Sequence, residues 1–314
     1  MYAFIHLRLE EKMLQIVLAL VPVFALLMIG FFARRYGFPA EGFWAPAERF
    51  TYYLLFPALL INSLSQASLS GGESLRIVLA VLVLLVVVSG ICLLLKKPLG
   101  VGFAAYTSFY QGSMRFNTFV ALATTSALLS SAGLVVAAII AAVMIPVLNI
   151  LCVLVFASEK GLVSNLVPTL KALATNPLIL ACIAGVLLNQ LGGLPATLSS
   201  TMGLLGQMAL PLGLLSVGAA LNLRALRSSG RVLYISSAIK LLLFPVIAWA
   251  VAYGFQLSEL ASQVLIIFAA MPTATSAYIL ARQLGGDAPL MAAVITAQTI
   301  FAMLTLPLVL SFVG

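Results

Sequence analysis

MLQIVLALVPVFALLMIGFF, residues 13–32, decides the fold class. It holds no Asp, Glu, Lys or Arg. At about 1.5 Å per residue such a helix reaches about 30 Å, the thickness of a bilayer's hydrocarbon core. It lacks a small-residue cleavage pattern, so it reads as a membrane span and not as a signal peptide. The dozen residues before it are polar and mixed in charge, and Met13 is expected as an alternative translational start.

Similar runs recur along the chain. Apolar stretches separated by charged or Gly/Pro-rich breaks predict spans at 13–33, 50–66, 76–95, 105–128, 132–157, 172–190, 203–221, 232–253, 261–281 and 289–311. The composition agrees: 63% of residues are hydrophobic and 8% charged, where a soluble domain has about 25% charged. So few charges do not cover a water-facing surface, so membrane lipid is an expected partner. The net charge of +8 comes from basic residues in short loops. That is a topology signal, and no nucleic-acid partner is expected.

Lys and Arg stay cytoplasmic. Numbered by the spans they join, the odd loops carry Arg34, Arg35, Arg49, Lys96, Lys97, Lys160, Lys171, Arg224, Arg227, Arg231 and Arg282. The N-terminal tail and even loops carry only Arg8, Lys12 and Arg76. A bacterial inner-membrane protein with both termini periplasmic is expected.

The halves resemble each other weakly. Pro57 opens PALL and Pro211 opens PLGLL; Asn117 opens NTFVALA and Thr275 opens TSAYILA; Pro146 opens PVLN and Pro307 opens PLVL. The separations are similar, which predicts two inverted five-helix repeats, over 13–157 and 172–311, as in many secondary transporters. The expected fold class is therefore all-α and polytopic, with ten transmembrane helices.

Polar patches mark the fourth span of each half. Gln111 to Thr118 reads QGSMRFNT, and Met271 to Ser276 reads MPTATS. Pro272 removes a backbone donor, and the neighbouring hydroxyls satisfy freed backbone groups or a ligand. Unwound helices that cross there would present N–H groups to an anion. Asn117 and Pro272 are the candidate crossing residues. Candidate ligands of a small organic anion are Asn117, Arg115, Thr118, Thr273, Thr275 and Ser276, with Asn62 and Gln207 in the second and seventh spans. Arg115 and Lys240, basic residues inside apolar runs, are candidate electrostatic contributors. Each polar residue also has a plainer reading as a hydrogen bond between helices or within its own helix.

No catalytic constellation, dinucleotide fingerprint, phosphate loop or metal-ligand spacing is present, so no enzyme activity, cofactor or metal is expected. Cys92, Cys152 and Cys182 read as packing residues, and His6 has no ligand cluster. No Asp or Glu lies mid-span, so neither sodium coupling through a carboxylate nor proton coupling through a titrating side chain is expected.

LLFPALL at 54–60, RFN at 115–117 and MPTATSAYILARQLGGD at 271–287 resemble the auxin efflux carrier family, in particular bacterial malonate or malate permeases. The resemblance covers nearly the whole chain from Met13. It implies a fold like that of bile acid–sodium symporters and sodium–proton antiporters, with scaffold and transport domains each built from both repeats. It implies elevator-type transport of small carboxylates around crossed broken helices 4 and 9. In plant members a proline marks each crossing and an asparagine beside it contributes to carboxylate binding. Asn117 and Pro272 stand at matching places. The first crossing here lacks a proline, and Thr273, Thr275 and Ser276 stand where the second asparagine is expected. A sodium-coupled anion symporter and a non-transporting membrane receptor or scaffold are the alternatives, and a homodimer is left open.

Overall fold

Apolar residues surround the first helix, so one face packs on protein and the rest meets lipid. In a computed structural model, which describes residues 2–40, 42–66, 71–160, 174–228 and 230–313, this helix is α1 (Tyr2–Arg35). Leu20, Val23 and Leu27 are buried, whereas Leu14, Leu18, Val21 and Ile29 point outward. The helices that follow are α2 (Trp44–Phe50), α3 (Phe56–Ser65), α4 (Gly71–Leu94), α5 (Lys96–Leu99), α6 (Phe103–Met114), α7 (Thr118–Lys160), α8 (Pro177–Gln190) and α9 (Ala196–Ala220). After a 3-10 segment at Leu223–Ser228 come α10 (Arg231–Ala238), α11 (Phe244–Gly254), α12 (Glu259–Ala270), α13 (Ser276–Leu284) and α14 (Ala288–Val313).

Two π turns, Thr51–Leu55 and Ile239–Leu243, join α2 to α3 and α10 to α11. Each precedes a Phe-Pro pair, Phe56-Pro57 and Phe244-Pro245. Proline has no N–H to give and its ring crowds the carbonyl four residues back, so the preceding turn widens. Phe56 N accordingly donates to Thr51 O and Phe244 N to Ile239 O, five residues back.

The ten-span expectation with two inverted five-helix repeats is not met. Among the described residues, six helices are long and apolar enough to cross a membrane: Met13–Arg35, Glu73–Leu94, Ser131–Ser158, Ala196–Ala220, Arg231–Gly254 and Ala288–Ser311. Six long helices do not divide into two sets of five. The reason is local. The run at 50–66 forms the first π turn and α3 and continues from α2, whose Glu48 and Arg49 make that helix less apolar, whereas the run at 172–190 yields α8, of 14 residues, which reach only about 21 Å. The runs at 105–128 and 261–281 break at their polar patches, leaving α6 and α12 with 12 residues each. The Ser-rich stretch around 130, expected to separate two spans, lies inside the single 43-residue helix α7. Lys171 and the start of the run at 172 lie outside the described residues.

The helices gather in two groups. In one, α1 packs on α9, α3 on α8 and α9 on α3. In the other, α12 packs on α7, α11 and α14, and α4 packs on α7. Contacts of α1 with α14 and α7, and of α9 with α7, join them.

Candidate functional site

The site begins where two helices stop early. α6 ends at Met114 and Arg115 turns extended (φ −71°, ψ 156°). α12 ends at Ala270 and Met271 does the same (φ −68°, ψ 144°). The chain resumes as helix at Thr118 and Ser276. Buried ends need partners for their freed backbone groups. Here the two interruptions supply one another: Asn117 N donates to Pro272 O at 2.8 Å. Thr273 Oγ1 donates to Gln111 O at 3.4 Å. Gln298 of α14 bridges both, accepting from Thr273 N at 2.9 Å and donating to Gly112 O at 2.9 Å. Its Nε2 also lies 3.4 Å from Ser236 Oγ, which Ser113 Oγ approaches at 3.3 Å.

Asn117 acts locally as a cap. Its Oδ1 accepts from Phe119 N at 3.1 Å and Val120 N at 3.3 Å, closing the first turn of α7. Its Nδ2 is buried and has no partner among the described residues.

Two cavities flank the second interruption. The smaller, of about 150 Å³, is lined by Tyr52, Arg115, Thr118, Asn149 and Ser276, with apolar walls from α7 and α8. Arg115 Nη2 donates to Ser276 Oγ at 3.2 Å. Its Nη1 is buried without a hydrogen-bond partner among the described residues. A guanidinium with one free buried edge suits a carboxylate, which takes paired N–H donors. The volume equals that of about five waters.

The larger cavity, of about 1230 Å³, is lined by Arg34, Arg35, Glu48, Asn222, Arg224 and Thr275, among others. Arg34 Nη1 donates to Ala219 O at 2.8 Å. Thr275 Oγ1 donates to Glu48 Oε1 at 3.0 Å. Burial pushes the Glu48 carboxyl above its ordinary value of 4.5, and the Thr275 bond pulls part of the way back.

The residues singled out from sequence separate into three places. Arg115, Thr118 and Ser276 line the small cavity and Thr275 the large one, while Asn117, Pro272 and Thr273 join the two interruptions. Asn62 lies elsewhere: its Oδ1 accepts from Gln66 Nε2 and Ser199 Oγ, both at 2.9 Å, tying α3 to α9. Gln207 is exposed on α9. Lys240 is fully buried in the second π turn, its Nζ 4.0 Å from the centre of the Phe244 ring, and lines neither cavity. Sequence reasoning missed Gln298, Tyr52 and Asn149. A glutamine inside the apolar run of α14 is the signal that would have found Gln298, since a polar side chain there needs a buried partner.

Among the described residues no cluster of His, Cys, Asp and Glu is arranged to hold a metal. Residues 15–310 match the family described as membrane transport protein. The chain is also 27% identical, over 292 residues, to a protein of Methanothermobacter thermautotrophicus described as an uncharacterized transporter, covering 91% of this chain and 94% of the relative. The family match spans nearly the whole chain, and with the six long apolar helices among the described residues it makes this a multi-pass membrane transport protein. The chain belongs to the membrane transport protein family, the family of the auxin efflux carriers.

Proposed function

We propose that the chain carries small organic anions, carboxylates such as malonate or malate, across a bacterial inner membrane by alternating access. The observation that supports this reading is Arg115, which lines a cavity of about 150 Å³ and has one buried guanidinium nitrogen without a hydrogen-bond partner among the described residues. Thr118, Asn149, Tyr52 and Ser276 supply hydroxyl and amide groups around it. A desolvated carboxylate needs such convergent donors, and a buried guanidinium needs a counter-charge. The joined interruptions belong to the helix group of α6, α7, α12 and α14. An elevator-type shift of that group past α1, α3, α8 and α9 would carry the small cavity across the membrane. Both termini are placed in the periplasm on the loop-charge bias alone.

The test is uptake of labelled malonate, malate and monocarboxylates by purified protein in liposomes, with the membrane potential imposed or clamped. Saturable uptake of a dicarboxylate, absent from liposomes with Arg115→Gln protein, is expected. Transport of cations or neutral solutes in preference to every carboxylate would remove the reading. A reporter fused to the C-terminus should score as periplasmic.

A further inference from the structure

Glu48 stands apart from the other described carboxylates. Glu73 accepts from Ser258 N, Asp287 Oδ1 caps Leu290 N, and Glu259 accepts from Gln263 of its own helix. Glu48 alone among them reaches an interrupted segment, through the 3.0 Å bond from Thr275 Oγ1. It lies in α2, on the wall of the large cavity. Residues 274–276 form the partition between the cavities: Thr275 lines the large one, Ala274 and Ser276 the small one. Ser276 holds Arg115, so one peptide bond separates the partner of Glu48 from the partner of the anion-seeking guanidinium.

We propose that Glu48 is a proton-binding site coupled to the anion cavity, taking up a proton from the large cavity and releasing it as the 271–275 segment moves. The proposal rests on the transport reading above. As a carboxylate, Glu48 accepts a charge-assisted hydrogen bond that holds Thr275 in place. Protonation turns that bond into an ordinary one and loosens the partition. The proton comes from and returns to water, and no other bond is made or broken.

The charged and titratable groups facing Glu48 fit this role. Arg34 and Arg35 of α1, Arg224 of the 3-10 segment and Tyr278 of α13 share the cavity. None of the arginines forms an ion pair with it among the described residues, and Arg34 is engaged with Ala219 O. α9, which packs against α2, has no ionisable residue; the adjoining π turn carries Tyr52 and Tyr53, and Arg49 on its own helix is exposed. The carboxyl is thus free to titrate, and burial shifts it toward holding its proton. Carboxylates were expected to play no part because none lies mid-span. The fold brings one in from a flanking helix.

The experiment uses full-length protein in liposomes and labelled malonate, at clamped potential. An imposed pH gradient should change initial wild-type uptake several-fold. Glu48→Gln should bring the ratio with and without gradient to about one, and Glu48→Asp should restore part of the response. A response persisting in Glu48→Gln, or absent from actively transporting wild type, overturns the proposal. If wild type moves no carboxylate, the transport reading fails separately, and infrared titration decides the proton site. A protonated-carboxyl band that titrates in wild type and is missing from Glu48→Gln supports it; identical titrations overturn it.

Discussion

Arg115 and Asn117 are two residues apart and do different work. Arg115 lines the small cavity, whereas the Asn117 side-chain oxygen Oδ1 closes the first turn of α7. A hydrogen bond to a charged group contributes about 1.5–3 kcal/mol. Arg115→Gln is therefore expected to weaken malonate binding roughly tenfold or more, as read by calorimetry on purified protein. Asn117→Ala removes a cap contributing about 1 kcal/mol, and Asn117→Ser restores most of that. Equal malonate affinity in the Ser variant and wild type would make Asn117 a structural residue; a loss in both variants with stability kept would put its amide in the site. Glu48 adds a pH signature. Its folded proton affinity is raised by burial, so the folded state binds more protons than the unfolded one above pH 4.5. The associated stability is full below 4.5 and is lost as pH rises through the folded value. Thermal melts in detergent should thus show Glu48→Gln gaining on wild type as pH rises. A constant gap at all pH values would mean that Glu48 is not shifted.

Helix ends buried in a membrane protein stay in place only if their backbone groups find partners, and Gln298 supplies two. Gln298→Leu strips the partner from Gly112 O and Thr273 N, each costing about 1–3 kcal/mol when left buried. The expected result is a clear fall in melting temperature with loss of transport. Gln298→Glu, which keeps the acceptor for Thr273 N and loses the donor to Gly112 O, should fall between. Wild-type stability in Gln298→Leu would show that other groups hold the two interruptions together. The interruptions themselves were legible in sequence, because QGSMRFNT and MPTATS are polar islands in apolar runs. Their meeting was expected from the similar spacing of the halves. Their cement was not, because Gln298 lies in a third helix and sequence periodicity says nothing of which helices become neighbours. Tyr52 reaches the small cavity from the first π turn and Asn149 from farther along α7, and Glu48 reaches Thr275 across 227 positions. Asn62 differs: a polar residue in an apolar run marked a part-buried bond, but one between α3 and α9.

At the scale of the molecule, hydropathy identified a multi-pass protein and overcounted its long spans, because a window of apolar residues does not register the short breaks at 115–117 and 271–275. What it also hides is how closely helices approach. α1 and α9 meet through a reciprocal pair: Gly30 lies against Leu215 O, and Gly218 against Leu27 O, each too close for a Cβ. Small residues let backbones touch in this way, and helix association in lipid depends on such packing more than on any hydrophobic drive. α1 also packs on α14 and α7 of the other group, so a displacement of α1 would be felt in both groups. Gly218 directly precedes Ala219, whose carbonyl accepts from Arg34 on the wall of the large cavity. Gly218→Val should force the two helices apart, with the cost of about 1–3 kcal/mol usual for overpacking. A lower melting temperature is expected. If the cavity wall moves too, uptake of malonate should fall further than stability alone accounts for in samples selected as folded. Gly90→Ala on α4 is the control, because a Cβ there meets nothing within 4 Å. It should melt at or slightly above wild type, since alanine favours a helix over glycine by about 0.5–1 kcal/mol. If Gly218→Val melted like Gly90→Ala, α1 and α9 would have room to separate, and their close approach would not be what holds that helix group together.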